Sequence, residues 1–309
     1  MNYFTKAKPY NSLNEYYKIK YGKKVSKIAL NANFTCPNRD GKKGYGGCTF
    51  CSGGSGEYEM YDLKEQFEIV SSTIRNKWPD SLYIPYFQAY SNTYKPLNEL
   101  IKIYDEAISL ASNNIAGISI ATRADCIEDD VISYLGKLNK KIPVSIELGL
   151  QTSNMNTANL INRCMTNDEF ITTVNKLRKE NIEIIVHIIN GLPNETIEDN
   201  LNTINFINNL DIQGIKIHSL LLLNNTKMYE EYKEKPFHIL TMDEYVEIVC
   251  QEISHLRSDI IIHRLQADAK INDLIEPKWT SKKFIVMNNI DKYMRNNHLY
   301  QGIYYNKTN

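Results

Sequence analysis

Three cysteines lie close together near the N-terminus, in the segment CPNRDGKKGYGGCTFC at residues 36–51. Eleven residues separate Cys36 from Cys48, two separate Cys48 from Cys51, and the chain has six cysteines in all. Three thiolates can hold a [4Fe-4S] cluster and leave one of its irons open to a further ligand. Glycines at 41, 44, 46 and 47, followed by others at 53, 54 and 56, allow the backbone to curl around so bulky a group.

Two other uses of these thiols are open at this point. A structural zinc site needs four nitrogen or sulfur ligands, and no histidine precedes His187, so a local finger of cysteines and a histidine cannot be built. Redox use of Cys48 and Cys51, as in thioredoxin, would leave Cys36 without a role. The other cysteines, at positions 126, 164 and 250, are scattered along the chain. A [4Fe-4S] cluster explains why the segment has three cysteines, and structural zinc or free thiols are the alternatives.

Short runs of β-branched residues alternate six times with amphipathic stretches across the middle of the chain. The predicted strands are 24–33, 82–90, 116–125, 144–151, 183–191 and 214–223, and the predicted helices are 63–78, 97–111, 129–138, 167–180, 195–210 and 242–256. This alternation predicts an α/β fold with a parallel sheet covered on both faces. Ligands of such folds bind at the C-terminal ends of the strands. The cysteine segment follows the first strand, so we expect it at that edge.

The 309 residues, 42% of them hydrophobic and 23% charged, are enough for one large globular core. No apolar run approaches the roughly 20 residues that span a bilayer, and the first residues lack the apolar stretch of a secretory signal. Six cysteines are too few for a disulfide framework in so long a chain. We therefore expect a cytoplasmic protein with no membrane partner.

Positive charge is concentrated at the two ends of the chain, although the net charge is zero. Residues 1–44 contain ten lysines and arginines against two acidic residues, and residues 277–309 contain six against one. Five tyrosines, at 3, 10, 16, 17 and 21, are interspersed with the N-terminal lysines. Lysines that contact phosphates and rings that stack on bases are typical of RNA-binding surfaces. The alternative is an ordinary solvated surface.

The cysteine segment resembles the cluster loop of radical S-adenosylmethionine (SAM) enzymes, specifically of the YhcC/YtqA family, whose first two cysteines are farther apart than is usual in the superfamily. Seven further segments between residues 10 and 302 are similar to this family in the same order: YFQAY, ATRADC, IELGLQT, INR, GLP, GIKIH and HRLQADA. The resemblance implies a partial (β/α)6 TIM barrel of the radical SAM type. Its core would span 25–258, with a basic N-terminal extension at 1–24 and a C-terminal extension at 259–309 that packs on the core.

The same resemblance implies a definite chemistry and definite cofactors. The open iron of a [4Fe-4S] cluster held by Cys36, Cys48 and Cys51 would be chelated by the amino and carboxylate groups of SAM. An electron from the reduced cluster would cleave SAM to methionine and a 5′-deoxyadenosyl radical, which abstracts hydrogen from an unreactive carbon. An electron donor such as flavodoxin or ferredoxin would be needed. The protein itself would hold the cofactor, exclude water and orient the substrate.

Eight residues are expected to contact the cofactor: Phe50, Gln88, Arg123, Glu147, Gln151, Arg163, Gly191 and Leu192. Phe50 resembles the family's aromatic residue near the adenine, and Arg123 would pair with a carboxylate. Gln88 stands where many relatives carry Gly-Gly-Glu to hold the methionine amine, so this chain departs from the family there. Glu147 lies in an otherwise apolar strand and needs a polar partner, such as the ribose hydroxyls or the methionine amine. Gln151 ends the same strand.

The expected substrate contacts are His187, Lys216 and His218. His187 interrupts an apolar run, and Lys216 and His218 are two residues apart, so they share one face of the sixth strand. Arg163 precedes Met165, a position where relatives usually have a histidine, so the role of that histidine is open in this chain.

Within the family, the branch similar to YtqA is associated with the wobble uridine of tRNA. Its activity, called MnmL, converts a carboxymethylaminomethyl side chain to the aminomethyl form. The basic, tyrosine-rich N-terminus would suit a tRNA partner bound around the mouth of the barrel. Alternatively, this segment would seal the bottom of the open barrel, far from the cofactor. Two alternatives stay open: a radical SAM enzyme acting on a small metabolite or a protein side chain, and a non-catalytic iron-sulfur or zinc scaffold.

Overall fold

A computed structural model describes residues 3–53 and 61–305. Strands in these ranges are β1 (Val25–Leu30), β2 (Leu82–Phe87), β3 (Ile118–Thr122), β4 (Val144–Gln151), β5 (Glu183–Asn190), β6 (Gly214–Ser219), β7 (Leu222–Leu223), β8 (Ile261–Arg264) and β9 (Leu274–Glu276). Seven of them form one parallel sheet in the order β1-β2-β3-β4-β5-β6-β8, and β7 pairs antiparallel with β9. The sheet curls into a half-barrel, which confirms the predicted α/β partial barrel.

The sheet has one strand more than the six that the sequence predicts. β8 pairs with β6 and comes from the segment that the sequence analysis assigned to the C-terminal extension. Its four residues are too few to show a period of their own, and no predicted helix follows them directly. The seventh strand extends the curved wall of the barrel.

Helices cover the outer face of the sheet. In the described ranges they are α1 (Leu13–Tyr21), α2 (Leu63–Lys77), α3 (Leu97–Leu110), α4 (Asp129–Asn139), α5 (Met155–Leu160), α6 (Asn167–Lys179), α7 (Ile197–Asn208), α8 (Lys227–Glu234), α9 (Met242–His255) and α10 (Lys283–Asn296). All six predicted helices form. Helices α6, α7 and α9 each begin with a threonine capping box, which satisfies backbone donors at the helix start. No helix in the described ranges has the length and apolar character that crossing a membrane requires.

Side chains along the central strands alternate between the helices and the interior of the barrel, as the pleat of a strand dictates. The isoleucines, leucines and valines at one set of positions are buried in the main hydrophobic cluster beneath the helices. The intervening positions carry polar residues that face the interior. These are Glu147 and Gln151 on β4, His187 on β5, and Lys216 and His218 on β6.

The N-terminal segment closes the end of the barrel opposite to the cysteine segment. Tyr17 and Tyr21 of α1 pack against Val25, Ile84 and Ala116, near the N-terminal ends of β1, β2 and β3. The Tyr21 hydroxyl donates a hydrogen bond to the carbonyl oxygen of Ala116, at 3.2 Å. The prediction that this segment forms an RNA-binding surface around the mouth is therefore wrong, because α1 lies at the other edge of the sheet.

The C-terminal helix is part of the hydrophobic core. In α10, Val286, Ile290 and Met294 are fully buried in the main cluster beside α9. On the same helix Asp291 accepts hydrogen bonds from the Tyr10 hydroxyl, at 2.8 Å, and from the Lys8 ammonium, at 2.9 Å. The two ends of the chain thus meet on one side of the sheet.

Candidate cluster and cofactor site

A cavity of about 380 Å³ opens at the C-terminal ends of the parallel strands. Twelve of the fourteen predicted site residues line it: Cys36, Cys48, Cys51, Phe50, Gln88, Arg123, Glu147, Gln151, Arg163, His187, Lys216 and His218. The sheet brings together residues up to about 180 positions apart in the sequence, because parallel strands all end at the same edge. The cavity therefore unites the cysteine segment with the polar interior of the barrel.

Gly191 and Leu192 lie behind the cavity wall instead of in it. Leu192 is fully buried in a hydrophobic cluster with Ile189 and Leu220, and the half-buried ring of Phe50 packs against that cluster. Gly191 has a φ of +89°, and a Cβ atom there would come within 3.1 Å of a Leu240 methyl group. These two residues shape the wall that supports Phe50, and the expected direct contact with the cofactor is not supported.

Local hydrogen bonds hold the cysteine segment in a fixed shape. The Cys51 N–H donates to the Cys48 carbonyl at 2.9 Å, and the Arg39 side chain donates to the Cys51 carbonyl at 2.7 Å. Asn162, in the loop that follows α5, donates its side-chain amide to the Gly47 carbonyl at 2.8 Å. The segment is thus fastened both to itself and to the far side of the cavity mouth.

The donor set of the cysteine segment fits a cluster better than a single metal ion. All three thiols are free and line the same cavity, but in the described ranges no three side chains of His, Cys, Asp or Glu are arranged to hold one ion. A zinc site would bring its ligands together around one point, whereas a [4Fe-4S] cluster takes each thiolate on a different iron. Burial raises the pKa of the Cys48 thiol to about 12, so its thiolate needs the positive charge that iron supplies.

Arg123 places positive charge beside the cysteines, but much of its guanidinium is already engaged. Its Nε and Nη2 atoms donate to the two carboxylate oxygens of Asp125 at 2.8 and 2.9 Å, and Nη2 also donates to the Cys164 carbonyl at 3.2 Å. In the described ranges Nη1 makes no hydrogen bond within the protein. That atom is the part of Arg123 available to a carboxylate in the cavity.

Arg163 is a structural residue. Its side chain is almost fully buried, and its five N–H groups donate to the carbonyl oxygens of Leu150, Thr152 and Met165 and to the Asn167 side chain, at 2.6 to 3.0 Å. Burial lowers the pKa of this arginine to about 10. The expected cofactor contact is not supported, because every donor is used to fix the loop after β4.

Gln151 is held toward the cavity by an unusual backbone. Its φ is +68°, and the pairing of β4 with β5 shifts register between Gly149 and Gln151. A Cβ atom at Gly149 would lie 2.7 Å from the Gln151 amide nitrogen, so a larger residue there would displace the Gln151 side chain. A non-glycine residue in the left-handed region is a strained feature of the kind that clusters at functional sites. Gln88, at the end of β2, lines the same cavity.

Glu147 is the centre of a buried polar network that sequence reasoning did not foresee. Its carboxylate is fully buried and has a partner on each of the other five strands from β1 to β6. Its Oε1 accepts from Lys27 and from the Ser119 hydroxyl at 3.0 Å, and its Oε2 contacts Lys216, the Tyr86 hydroxyl at 2.7 Å and His187 Nε2 at 2.7 Å. The partners are Lys27 on β1, Tyr86 on β2, Ser119 on β3, His187 on β5 and Lys216 on β6.

This network leaves Glu147 no free lone pair for a cofactor. Burial opposes ionisation of the carboxyl group, but Lys216, Lys27 and His187 outweigh burial and hold the pKa of Glu147 well below its usual range. Burial lowers the pKa of His187 to about 4, so this imidazole is neutral at pH 7. The expectation that Glu147 contacts the ribose or the methionine amine is corrected, because the polar partners that it needs come from the protein.

Comparison with known proteins agrees with this geometry. The family model described as "Radical SAM superfamily" matches residues 36–207, and the "Radical_SAM C-terminal domain" matches 212–296. YtqA of Bacillus subtilis is 41% identical over 99% of this chain and 95% of its own length. YhcC of Escherichia coli is 32% identical over 92% of this chain and 91% of its own.

More distant similarities extend to a protein named for tRNA and to a solved structure. A tRNA uridine(34) acetyltransferase of Methanocaldococcus infernus is 24% identical over 59% of this chain and 33% of its own. The solved structure of archaeal Elp3 from Methanocaldococcus infernus has a TM-score of 0.70 at 17% identity, covering 90% of this chain and 64% of that chain. The family match over more than half of the chain, with two full-length relatives above 30% identity, shows that this chain belongs to the radical SAM superfamily, whose structures bind SAM and a [4Fe-4S] cluster.

Proposed function

We propose that this protein modifies the wobble uridine of tRNA, converting a carboxymethylaminomethyl side chain to the aminomethyl form. Loss of a hydrogen atom and then of one electron, which would return to the cluster, would turn the bond between the amine nitrogen and the carboxymethyl carbon into an imine, and water would hydrolyse the imine to the amine and glyoxylate. The observation that carries the proposal is the single cavity in which the three thiols face the polar side chains of the barrel. When bound, the cluster and SAM supply a 5′-deoxyadenosyl radical that removes hydrogen from a carbon atom. The cavity opens at the edge of the sheet, where a nucleotide flipped out of an RNA loop can enter.

The chain's own residues have separate tasks in this proposal. Cys36, Cys48 and Cys51 hold the cluster, and Phe50 forms an apolar wall beside it. Gln151 presents an amide to the cavity from its strained position at the end of β4. The Glu147 network acts below them as a rigid base, because five hydrogen bonds fix the strands that carry the site.

Two relatives support tRNA as the substrate class. The acetyltransferase relative is named for uridine 34 of tRNA, which is the wobble position, and a second partial relative is a tRNA-2-methylthio-N(6)-dimethylallyladenosine synthase. We infer that this chain acts on the same class of nucleic acid, in the cytoplasm, with a small electron-transfer protein such as flavodoxin or ferredoxin as reductant.

The reaction is tested with purified components. Anaerobically reconstituted protein, SAM and a strong reductant are mixed with tRNA that carries the carboxymethylaminomethyl side chain, and digested nucleosides are separated by mass spectrometry. We expect the aminomethyl nucleoside and 5′-deoxyadenosine to appear together, and neither to appear with Cys51→Ala protein. Release of 5′-deoxyadenosine without a change in the tRNA would favour a small-metabolite or protein substrate. A fully loaded cluster that never cleaves SAM would favour the non-catalytic scaffold.

We infer that the RNA surface lies at the rim of the cavity and not at the N-terminus. Lys42 is in the cysteine segment. Lys270 is two residues from Asp268, which lines the cavity, and Lys282 precedes Lys283, whose ammonium contacts Asp268 at 2.7 Å. Exposed rings accompany these lysines on both sides, since Tyr45 is 79% and Phe284 84% exposed. A combination of cations and exposed rings suits single-stranded RNA.

Reversing charge at the rim is expected to weaken tRNA binding. The triple variant Lys42→Glu/Lys270→Glu/Lys282→Glu should bind tRNA at least about tenfold more weakly. The slope of log affinity against log salt concentration should also become shallower, by the equivalent of about two to three phosphate contacts. The matched control is Lys18→Glu/Lys23→Glu/Lys24→Glu, at the opposite end of the barrel, which should bind nearly as wild type does. Fluorescence anisotropy across a salt series measures both. Equal losses in the two variants would place the RNA elsewhere.

A further inference from the structure

We propose that the wall formed by β6 and β8 is a carboxylate subsite, in which Arg264, His218 and Ser219 receive an anionic group of the substrate. The proposal rests on the proposed function, because it assigns the group that this wall would recognise. All three residues line the cavity, and none of them belongs to the cysteine segment. The subsite would make a carboxylate-bearing side chain the preferred substrate class.

Two buried polar atoms of this wall lack partners within the described part of the chain. His218 Nε2 and the Ser219 hydroxyl are buried and have no hydrogen-bond partner in the described ranges. The Arg264 guanidinium makes no hydrogen bond there either, and its nearest acid, Asp268, is 3.8 Å away. Asp268 is closer to Lys283, at 2.7 Å. Buried donors and acceptors without partners are costly, so a ligand that satisfies several at once gains affinity.

The charge of the barrel interior points to an anion. Lys27 and Lys216 both contact the buried carboxylate of Glu147, and the partly exposed Arg264 lines the same cavity, where Asp268, 3.8 Å away, is shared with Lys283. Burial, the neighbouring His187 and nearby cations hold the pKa of His218 well below its usual range, so this imidazole adds no charge. An excess of buried positive charge is unfavourable unless a negative group compensates it.

The cation of this wall differs from the cations beside the thiols. The cysteine segment follows β1, and the cations beside the thiols are Arg39, which donates to the Cys51 carbonyl, and Arg123, which follows β3. β6 and β8 are at the other end of the strand order. The planar fork of an arginine matches a carboxylate by two parallel hydrogen bonds. An enclosed wall also suits a side-chain carboxylate better than a backbone phosphate, which stays outside the cavity.

Two tRNAs that differ only in the side chain of the wobble uridine test the subsite. One carries the carboxymethylaminomethyl group and the other the aminomethyl group, and anisotropy measures binding of each to the SAM-loaded holoenzyme. We expect wild type to prefer the carboxylate-bearing tRNA by about 10- to 100-fold. Arg264→Gln should lose this preference, Arg264→Lys should keep part of it, and the surface control Arg75→Gln should keep all of it. Iron content and melting temperature check the fold of each variant.

The outcomes separate the subsite from the proposed function. If Arg264→Gln keeps the preference for the carboxylate-bearing tRNA, the subsite is overturned. The subsite is also overturned if Arg264→Gln weakens binding of both tRNAs by the same factor, since Arg264 would then contact backbone phosphate. An Arg264-dependent preference without conversion of the side chain supports the subsite and contradicts the proposed reaction. If neither tRNA binds, the same comparison is made by calorimetry with the nucleosides 5-carboxymethylaminomethyluridine and 5-aminomethyluridine. Equal affinity of wild type for the two nucleosides then overturns the subsite.

Discussion

Cys36→Ala, Cys48→Ala and Cys51→Ala proteins, each purified without oxygen, are expected to contain almost no iron, against about four irons per chain in wild type. Each thiol would hold a different iron, and three is the smallest number of protein ligands that secures the cluster while one iron stays open. The three cysteines line one cavity wall, so removal of any one leaves the cluster with two anchors. Iron and sulfide assays, with the visible absorption spectrum, measure the loss.

Cys164→Ala is the matched control. Cys164 lies beside the cysteine segment, where its Sγ is 3.0 Å from the position of a Cβ at Gly44, and its thiol donates to the Asn162 side chain at 3.2 Å. It should keep its iron, as should Cys250→Ala, whose thiol is buried in the hydrophobic core. Equal iron loss in Cys164→Ala would contradict the assignment of three ligands. A wild-type protein with stoichiometric zinc and no iron would contradict the cluster itself.

Local pattern was enough to predict the sheet and the edge at which the site lies. Each of the six predicted strands forms a run of β-branched and apolar residues, followed by a helix with a 3.6-residue period, and such units assemble in parallel. Once the strands are parallel, every segment that follows a strand lies at one edge. This is why Cys36 after β1, Gln88 after β2 and Arg123 after β3 could be placed in one cavity before any contact was known.

The partners of Glu147 could not be predicted in this way. Lys27 and Glu147 are 120 residues apart and meet only because the sheet curls, which brings the interior faces of β1 and β4 together. In the sequence Lys27 is one of many N-terminal lysines, and nothing local distinguishes it from Lys23 or Lys24. The sequence did contain one indication of this contact. Lys27 precedes the apolar Ile28 inside a predicted strand, and adjacent residues of a strand point to opposite faces. If Ile28 faces the helices, Lys27 faces the interior of the barrel.

Charge composition gave a wrong prediction of where the RNA-binding surface lies. Ten cations in residues 1–44 indicate that the segment is basic, but composition does not say which end of the barrel it covers. The spacing of Tyr17 and Tyr21, four residues apart, is the better signal, because it predicts one helical face. That face is buried against the start of the strands. The role of Arg163 could not be predicted for a similar reason. Its hydrogen-bond acceptors are mostly backbone carbonyls, and the sequence does not show which carbonyls lie near a side chain.

Replacing Glu147 by glutamine is expected to destabilise the protein by about 3 to 5 kcal/mol. The substitution removes the one negative charge in a fully buried network and leaves the ammonium groups of Lys27 and Lys216 without it. Removal of one member of a buried pair costs more than the pair contributes, because the remaining charge is left desolvated. Urea unfolding of the cluster-free protein, wild type against Glu147→Gln, measures the difference without any contribution from cofactors.

Two further variants show whether charge is the cause. Glu68→Gln, which breaks an exposed pair with Arg75 on α2, should change stability by less than about 1 kcal/mol. Glu147→Gln/Lys216→Met should be more stable than Glu147→Gln alone, because the second change removes one of the uncompensated cations. A Glu147→Gln protein within about 1 kcal/mol of wild type would contradict the network and restore a cofactor role for this carboxylate.

The pH dependence of the Glu147→Gln difference follows from the direction of the pKa shift. Since the lysines and His187 hold the pKa of Glu147 well below its unfolded value, the folded state binds fewer protons there than the unfolded state. The stabilisation by Glu147 is therefore complete above the pKa that its carboxyl group has in the unfolded chain. It is lost only as pH falls through the much lower pKa that the group has in the folded protein. Burial lowers the pKa of Lys216 to about 7, and loss of Glu147 would lower it further, so at pH 5.5 Lys216 is protonated in folded wild type but not in folded Glu147→Gln. The stability difference between wild type and Glu147→Gln should accordingly grow as pH falls from 7 to 5.5 and shrink only in stronger acid. A difference that instead disappears between pH 7 and 5.5 would mean that the buried carboxyl group is protonated near neutrality, and that Lys27 and Lys216 do not hold it as a carboxylate.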